Sequence, residues 1–278
     1  MARLNLERIN GLINEKIKEN LNLDYKRELD ERNNEIAKDI SAFANASGGK
    51  IIYGISEKDD LPSSINWIES KGVKVKIEDI ILNHIQPELK GYEIYSIENS
   101  GNHSQAIFVV DIPESSDAPH MADYRYYIRR NFKSEYMEDS EVKNAIFKKG
   151  LRKALEFEVL QNIEMANSTY KRLESYTISH KRAPILLIPF YTEAWRAIVS
   201  SGILFILKDK ATTLVEAYST IYEINYLIDS LRYEKYGKEE CVYTQYDTSK
   251  PEHGTWLPMI IRDKIAKLQG ILQKVKLD

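Results

Sequence analysis

The chain has 278 residues, 43% of them apolar and 29% charged, with a formal net charge of −3. This composition excludes a disordered or collagen-like chain, and at roughly 150 residues per domain the length suggests about two domains. Cys241 is the single cysteine, which excludes an intrachain disulfide and a cysteine-rich zinc site; the near-neutral charge excludes a uniform polyanion-binding surface but not a local basic patch.

The longest nearly apolar stretches, such as Ala183–Phe190, fall far short of the ~20 residues that span a bilayer. The opening Met-Ala-Arg-Leu-Asn-Leu-Glu lacks the apolar core of a signal peptide. A cytoplasmic protein with no membrane partner is expected.

Leu6, Ile9, Leu12, Ile13 and Ile17 place one apolar face on a helix over Asn5–Glu19. Leu23–Leu29 alternates like a strand, with Asp24, Lys26 and Glu28 on one side. Asn33 or Asn34 is positioned to cap a helix through Ala46, which Gly48-Gly49 stops. Lys50–Ser56 reads as an apolar strand interrupted by Gly54, and Ile77–Leu89 as a helix. Tyr92–Glu98, Gln105–Ile112 and Tyr124–Arg130 are expected strands, the first two joined by a hairpin turn at Asn99–Asn102. Ser140–Lys148 reads as a helix. The order α-β-α-β-α-β-β-β-α predicts an α+β domain over residues 1–150 with a mixed or mostly antiparallel sheet. Residues 151–278 read as an all-α accessory domain of four helices, over Leu151–Ser175, Thr192–Leu207, Thr213–Lys235 and Trp256–Val275. Thr192 is expected to cap its helix, and Ser200-Ser-Gly202 to let helices approach closely.

The densest chemical signal runs from Glu19 to Glu57. Asp24 and Lys26 lie two apart and share a strand face. Glu19 lies just before that strand and Glu57 at the end of the next. If the strands pair, three carboxylates converge near one sheet edge, and clustered carboxylates either hold a cation or share a proton. Mg²⁺ and Mn²⁺ prefer such oxygen ligands and serve phosphodiester hydrolysis, where a neighbouring Lys26 would stabilise developing charge. Strand parity argues against the grouping, because Glu57 shares phase with Ile51, Tyr53 and Ile55 unless the strand ends or bulges before it. A solvated edge strand of alternating acids and lysines looks the same locally.

Further along, Arg129, Arg130 and Lys133 follow Tyr124, Tyr126 and Tyr127, a basic-aromatic mixture suited to backbone contact and stacking on unpaired bases. Lys143, Lys148, Lys149, Arg152 and Lys153 form a basic run with no acid between them, and Lys171-Arg172 and Lys181-Arg182 add more charge. Ser47-Gly-Gly-Lys50-Ile51 fails as a phosphate loop, because Ala44 and Ile51 stand where that loop needs Gly and Ser or Thr. Its glycines suit a tight helix-to-strand turn instead, which Asn45 would brace. His84, His103, His120, His180 and His253 lack metal-ligand spacing, and His120 reads as a surface loop residue.

Asp24-Tyr-Lys26, Ala42-Phe-Ala-Asn45-x-x-Gly48-Gly49, Gly54-Ile-Ser-Glu57 and Tyr126-Tyr-Ile-Arg-Arg130 together resemble the Schlafen-type AlbA-like domain family, over roughly residues 10–150. The resemblance implies that Glu19, Asp24 and Glu57 occupy that family's acidic triad, with Asp and Glu exchanged at two of the three positions. It implies a Mg²⁺- or Mn²⁺-dependent endoribonuclease with transfer RNA as the leading substrate class. In that reading Glu19, Asp24 and Glu57 hold the metal, Lys26 contacts the scissile phosphate, and Arg129, Arg130 and Lys133 grip the RNA. A toxin or antiphage role would suit such an enzyme. Eukaryotic Schlafen cores pair two lobes and this chain has one, so a homodimer is expected. Bacterial relatives described as DNA-binding or ATP-binding regulators supply the rival expectation, a non-catalytic DNA- or RNA-binding regulator.

Overall fold

The computed structural model describes residues 3–59, 61–179, 187–236 and 256–275. Cys241, His180, His253 and the Lys181-Arg182 pair lie outside them. The chain divides into two compact units, Met1–Lys149 and Gly150–Asp278.

The first unit is α+β. It begins with α1 (Leu6–Asn14), capped by the Asn5 side chain, which accepts from the Arg8 amide at 2.9 Å. There follow β1 (Leu23–Lys26), α2 (Asn33–Ala44), β2 (Gly49–Tyr53), β3 (Ile55–Lys58), β4 (Leu61–Ile65), β5 (Ile68–Glu69), α3 (Val73–His84) and β6 (Ile85–Gln86). Five strands follow: β7 (Glu93–Asn99), β8 (Asn102–Ile112), β9 (Met121–Ala122), β10 (Arg125–Arg130) and β11 (Lys133–Tyr136). β8 is the spine of the larger sheet. It pairs antiparallel with β2, β5 and β7, while β1 runs parallel to β2 at the edge. β6, β9, β10 and β11 make a second sheet, and β3 and β4 a third.

Two apolar clusters hold this unit together. Ile36, Ile40 and Phe43 of α2 pack with Ile80 and Ile81 of α3 over one set of sheet residues. Ile9 of α1 packs with Tyr25, Ile52 and Val109 in the other. β2 is buried along its whole length, so Ile51–Tyr53 reads as an apolar run rather than an alternating one, while Lys50 is buried on Asp111.

The apolar run ends where Gly54 breaks it. Gly54 separates β2 from β3, which belongs to a different sheet, and the β3–β4 register shifts between Ser56 and Glu57. This bulge removes the parity objection to Glu57. The helix expected over residues 77–89 starts four residues earlier and stops at His84. No side chain caps α2, whose N-cap is Arg32. Gly48 and Gly49 are required sterically: a Cβ on Gly48 would lie 2.5 Å from the Glu114 nitrogen, and one on Gly49 2.4 Å from the Asn22 oxygen.

The second unit is helical: α4 (Asp139–Ser179), which begins in the first unit's residues, then α5 (Glu193–Ser200), α6 (Ala211–Tyr236) and α7 (Trp256–Leu272). A helix break expected near residue 150 does not occur, since Gly150 continues α4. Thr192 makes no side-chain cap on α5. Buried Glu158 caps it instead, accepting from the Ala194 and Trp195 amides at 2.7 and 3.1 Å and from the Tyr218 hydroxyl at 2.6 Å. Gly202, with φ of +69° and open space around it, stops α5 rather than allowing close helix contact.

Asn45 is the brace of the first unit. Its Nδ2 donates to the carbonyls of His120 and Tyr127, both at 2.8 Å, and its Oδ1 accepts from the His120 amide at 2.6 Å. His120 is fully buried, contrary to the surface position expected. Its ring nitrogens meet the Pro87 carbonyl and the Ser115 hydroxyl, each at 2.7 Å. Asn45→Ala removes three hydrogen bonds to part-buried backbone groups and is expected to cost about 3 kcal/mol. Urea unfolding followed through this unit's amide signals should show a lower midpoint at unchanged slope.

Candidate functional site

β1 carries the centre of the site. Asp24 and Tyr25 are buried, while Lys26 is half-exposed. The Tyr25 ring turns into the core, where its hydroxyl donates to the Ile17 carbonyl at 3.0 Å. Strand alternation then puts Asp24 and Lys26 on the opposite side. The bend before β1 returns Glu19 to the same strand, where its Oε1 accepts from the Tyr25 amide at 2.8 Å.

Glu19 and Asp24 meet. Burial first, and then the charge of Asp24, push the Glu19 carboxyl up to about 8, and Glu57 adds to the effect. Glu57 is exposed, but its field reaches Glu19 and the Tyr25 phenol. The three expected acids thus share one neighbourhood. They do not form a cage: among the described residues no three His, Cys, Asp or Glu side chains come together as metal ligands.

Cations take up the charge of Asp24. Arg129 Nη2 donates to Asp24 Oδ1 at 2.7 Å, and both side chains are at most 2% exposed. Lys26 Nζ lies 2.6 Å from Asp24 Oδ2, a charge contact without an aligned hydrogen bond. The Phe43 ring covers the guanidinium with its centroid 4.7 Å from Arg129 Cζ. Arg129 therefore is not a surface grip for RNA, because its charge is buried on Asp24. Arg130 is exposed but pairs with Glu141 and Glu135, at 2.7 and 3.3 Å. Of the three basic residues expected to hold a backbone, Lys133 is exposed, and its ammonium lies beside the Phe132 ring. In the basic run, Lys143, Lys149 and Arg152 pair with Asp139, Asp117 and Glu156.

Asp39 joins the site without a sequence signal of its own. It lies on α2, where the helical pattern marks it only as a polar position. Its Oδ2 is 3.9 Å from Lys26 Nζ, and its Oδ1 accepts from the Ser134 hydroxyl at 2.7 Å. Burial, only partly offset by Lys26, pushes its carboxyl up. Burial works against the Lys26 charge, but Asp24 and then Asp39 outweigh it and hold the ammonium above its ordinary pKa. Lys26, Asp39 and Arg129 lie on the wall of a groove of about 1040 Å³ that β11 borders through Lys133 and Ser134.

The Glu19 proton sets a pH dependence. A carboxyl raised from 4.5 to about 8 on folding stabilises the fold fully below 4.5, and the contribution is lost as pH rises through about 8. After solvent screening of a half-buried group, it amounts to about 1–2 kcal/mol. Glu19→Gln should remove this slope from unfolding free energies measured across that window.

The family described as "Schlafen, AlbA_2" matches residues 19–138. No curated protein matches the chain. A solved structure similar to it is that of the DIP2311 protein from Corynebacterium diphtheriae, 13% identical, with a TM-score of 0.35. The likeness covers 50% of this chain and 27% of that one, so the chain spans well under two thirds of its length. The match begins at Glu19 and runs past the β10–β11 hairpin, taking in β1, the Asn45 brace and Arg129. Over residues 19–138 this chain is similar to the Schlafen AlbA_2 family.

Proposed function

We propose that this domain is a divalent-metal-dependent endoribonuclease acting on structured RNA, with transfer RNA as the leading substrate. A Schlafen AlbA_2 domain is consistent with a nucleic-acid-related function. The observation that carries the enzymatic reading is the Glu19–Asp24 carboxyl pair beside Lys26. Carboxyl groups forced together give up a proton reluctantly, and a cation relieves the same repulsion. Glu19 and Asp24 would hold Mg²⁺ or Mn²⁺, with Glu57 alongside. When bound, such a cation supplies Lewis acidity and a water of lowered pKa. Lys26 would meet the scissile phosphate, Arg129 fixes Asp24, and Lys133 would approach the RNA backbone.

The further parts of this reading are a homodimer that rebuilds a two-lobed groove, action in the cytoplasm, and a toxin or antiphage role. Among the described residues, no helix is long and apolar enough to cross a membrane. A second reading, a non-catalytic DNA- or RNA-binding regulator, is favoured by one observation: Asp24 is already paired with Arg129 and Lys26, and among the described residues no third acid completes a cage.

Incubation of total transfer RNA with the wild type should give cleavage that requires Mn²⁺ and stops with chelator. Glu19→Gln should lower the rate about 100-fold or more, as expected for loss of a group acting directly on the reaction. Bound but intact RNA in the presence of Mn²⁺ would select the regulator.

A further inference from the structure

Phe132 occupies the two-residue turn between β10 and β11, flanked by the paired residues Arg130 and Lys133. Turn chemistry accounts for its neighbour. Asn131 has φ of +53°, a left-handed conformation that asparagine tolerates. The turn has no use for a phenyl ring, yet Phe132 stands there 56% exposed. The ring lies on the wall of the groove that contains Lys26, Asp39 and Arg129. Lys133 Nζ is 5.7 Å from its centroid.

The charge of the groove decides what such a ring could serve. Its wall carries as many Asp and Glu as Lys and Arg. Proteins that grip duplexes do so chiefly by neutralising phosphates, and a wall without net charge is poorly suited to that. A flat apolar face beside one ammonium offers a different pairing: a platform for a base and a point charge for its phosphate. A base buried in a duplex cannot use the platform.

We infer that the groove takes an unpaired nucleotide of single-stranded or loop RNA, its base stacked on Phe132 and its phosphate toward Lys133 and Lys26. The inference rests on the RNA reading above and deepens it by naming unpaired RNA as the substrate class. The strand tyrosines are less suited to the task. Tyr126 and Tyr127 are half-buried, and Tyr127 packs on Tyr136 with centroids 4.9 Å apart. Tyr124 is 89% exposed, but it lies at the opposite end of β10 and is not on the groove wall. It is the internal control.

The test measures affinity of the full chain for a short single-stranded RNA and for the blunt duplex of the same sequence, at one fixed salt concentration. Phe132→Ala should weaken single-strand binding about tenfold, the loss expected for one stacked base, and leave duplex binding unchanged. Tyr124→Ala should change neither. Phe132→Trp should retain affinity, and RNA should quench its added indole fluorescence relative to wild type. If the wild type binds single strands and Phe132→Ala binds them equally well, the stacking inference is overturned while the RNA reading stands. Equal losses for single strand and duplex would also overturn it. If the wild type binds neither RNA, the RNA reading itself falls. Thermal unfolding of each variant separates lost stacking from lost structure.

Discussion

The buried ion pair between Asp24 and Arg129 is the interaction on which the rest of the site depends. Asp24 sits on β1, in the larger sheet, and Arg129 on β10, in the second sheet. Both side chains are at most 2% exposed, so each charge is tolerated because it is paired, Arg129 with Asp24, and Asp24 with Arg129 and Lys26. The pair ties the two sheets together where the Asn45 brace also joins α2 to the Tyr127 carbonyl. It also fixes where the remaining charges go. Lys26 is drawn to Asp24 and shared with Asp39, and Glu19 is left against a carboxylate whose nearest oxygens already face cations.

That arrangement gives two kinds of carboxyl group in one place. Asp24 is held by cations, while Glu19 keeps its proton to higher pH because it is half-buried and repelled. A carboxyl group raised by burial and by a neighbouring charge, as Glu19 is, is a common feature of sites that move protons or bind cations. The groove beside them carries both signs of charge and one exposed ring. A site of this character suits local recognition of one or two nucleotides better than wholesale neutralisation of a backbone.

Much of this was legible in the sequence, for identifiable reasons. The Ala42–Asn45 and Gly48-Gly49 element is constrained sterically, since the close approach at Gly48 and Gly49 leaves no room for a Cβ. The shared face of Asp24 and Lys26 follows from strand alternation alone. Long-range partners were not legible. That Arg129 pairs with Asp24, 105 positions away, depends on two sheets meeting, and a basic run beside tyrosines reads equally as a surface. His120 is polar and lies among loops, so its burial by the Pro87 carbonyl and Ser115 leaves no periodic trace. Asp39 is hidden for a related reason, because a helix carries many polar positions and only the fold selects the one facing Lys26. Glu57 needed the Gly54 break and the bulge after Ser56 to leave the phase of its strand.

The most direct test of this account is a double-mutant cycle on Asp24→Asn and Arg129→Met, read from unfolding free energies of the first unit. Each single change should cost about 3–5 kcal/mol, because it strands a buried partner. The double variant should recover part of that loss, giving a coupling of about 2–3 kcal/mol. Additive losses would contradict the account, since they would mean that the two charges do not depend on each other and that the site is organised by something else.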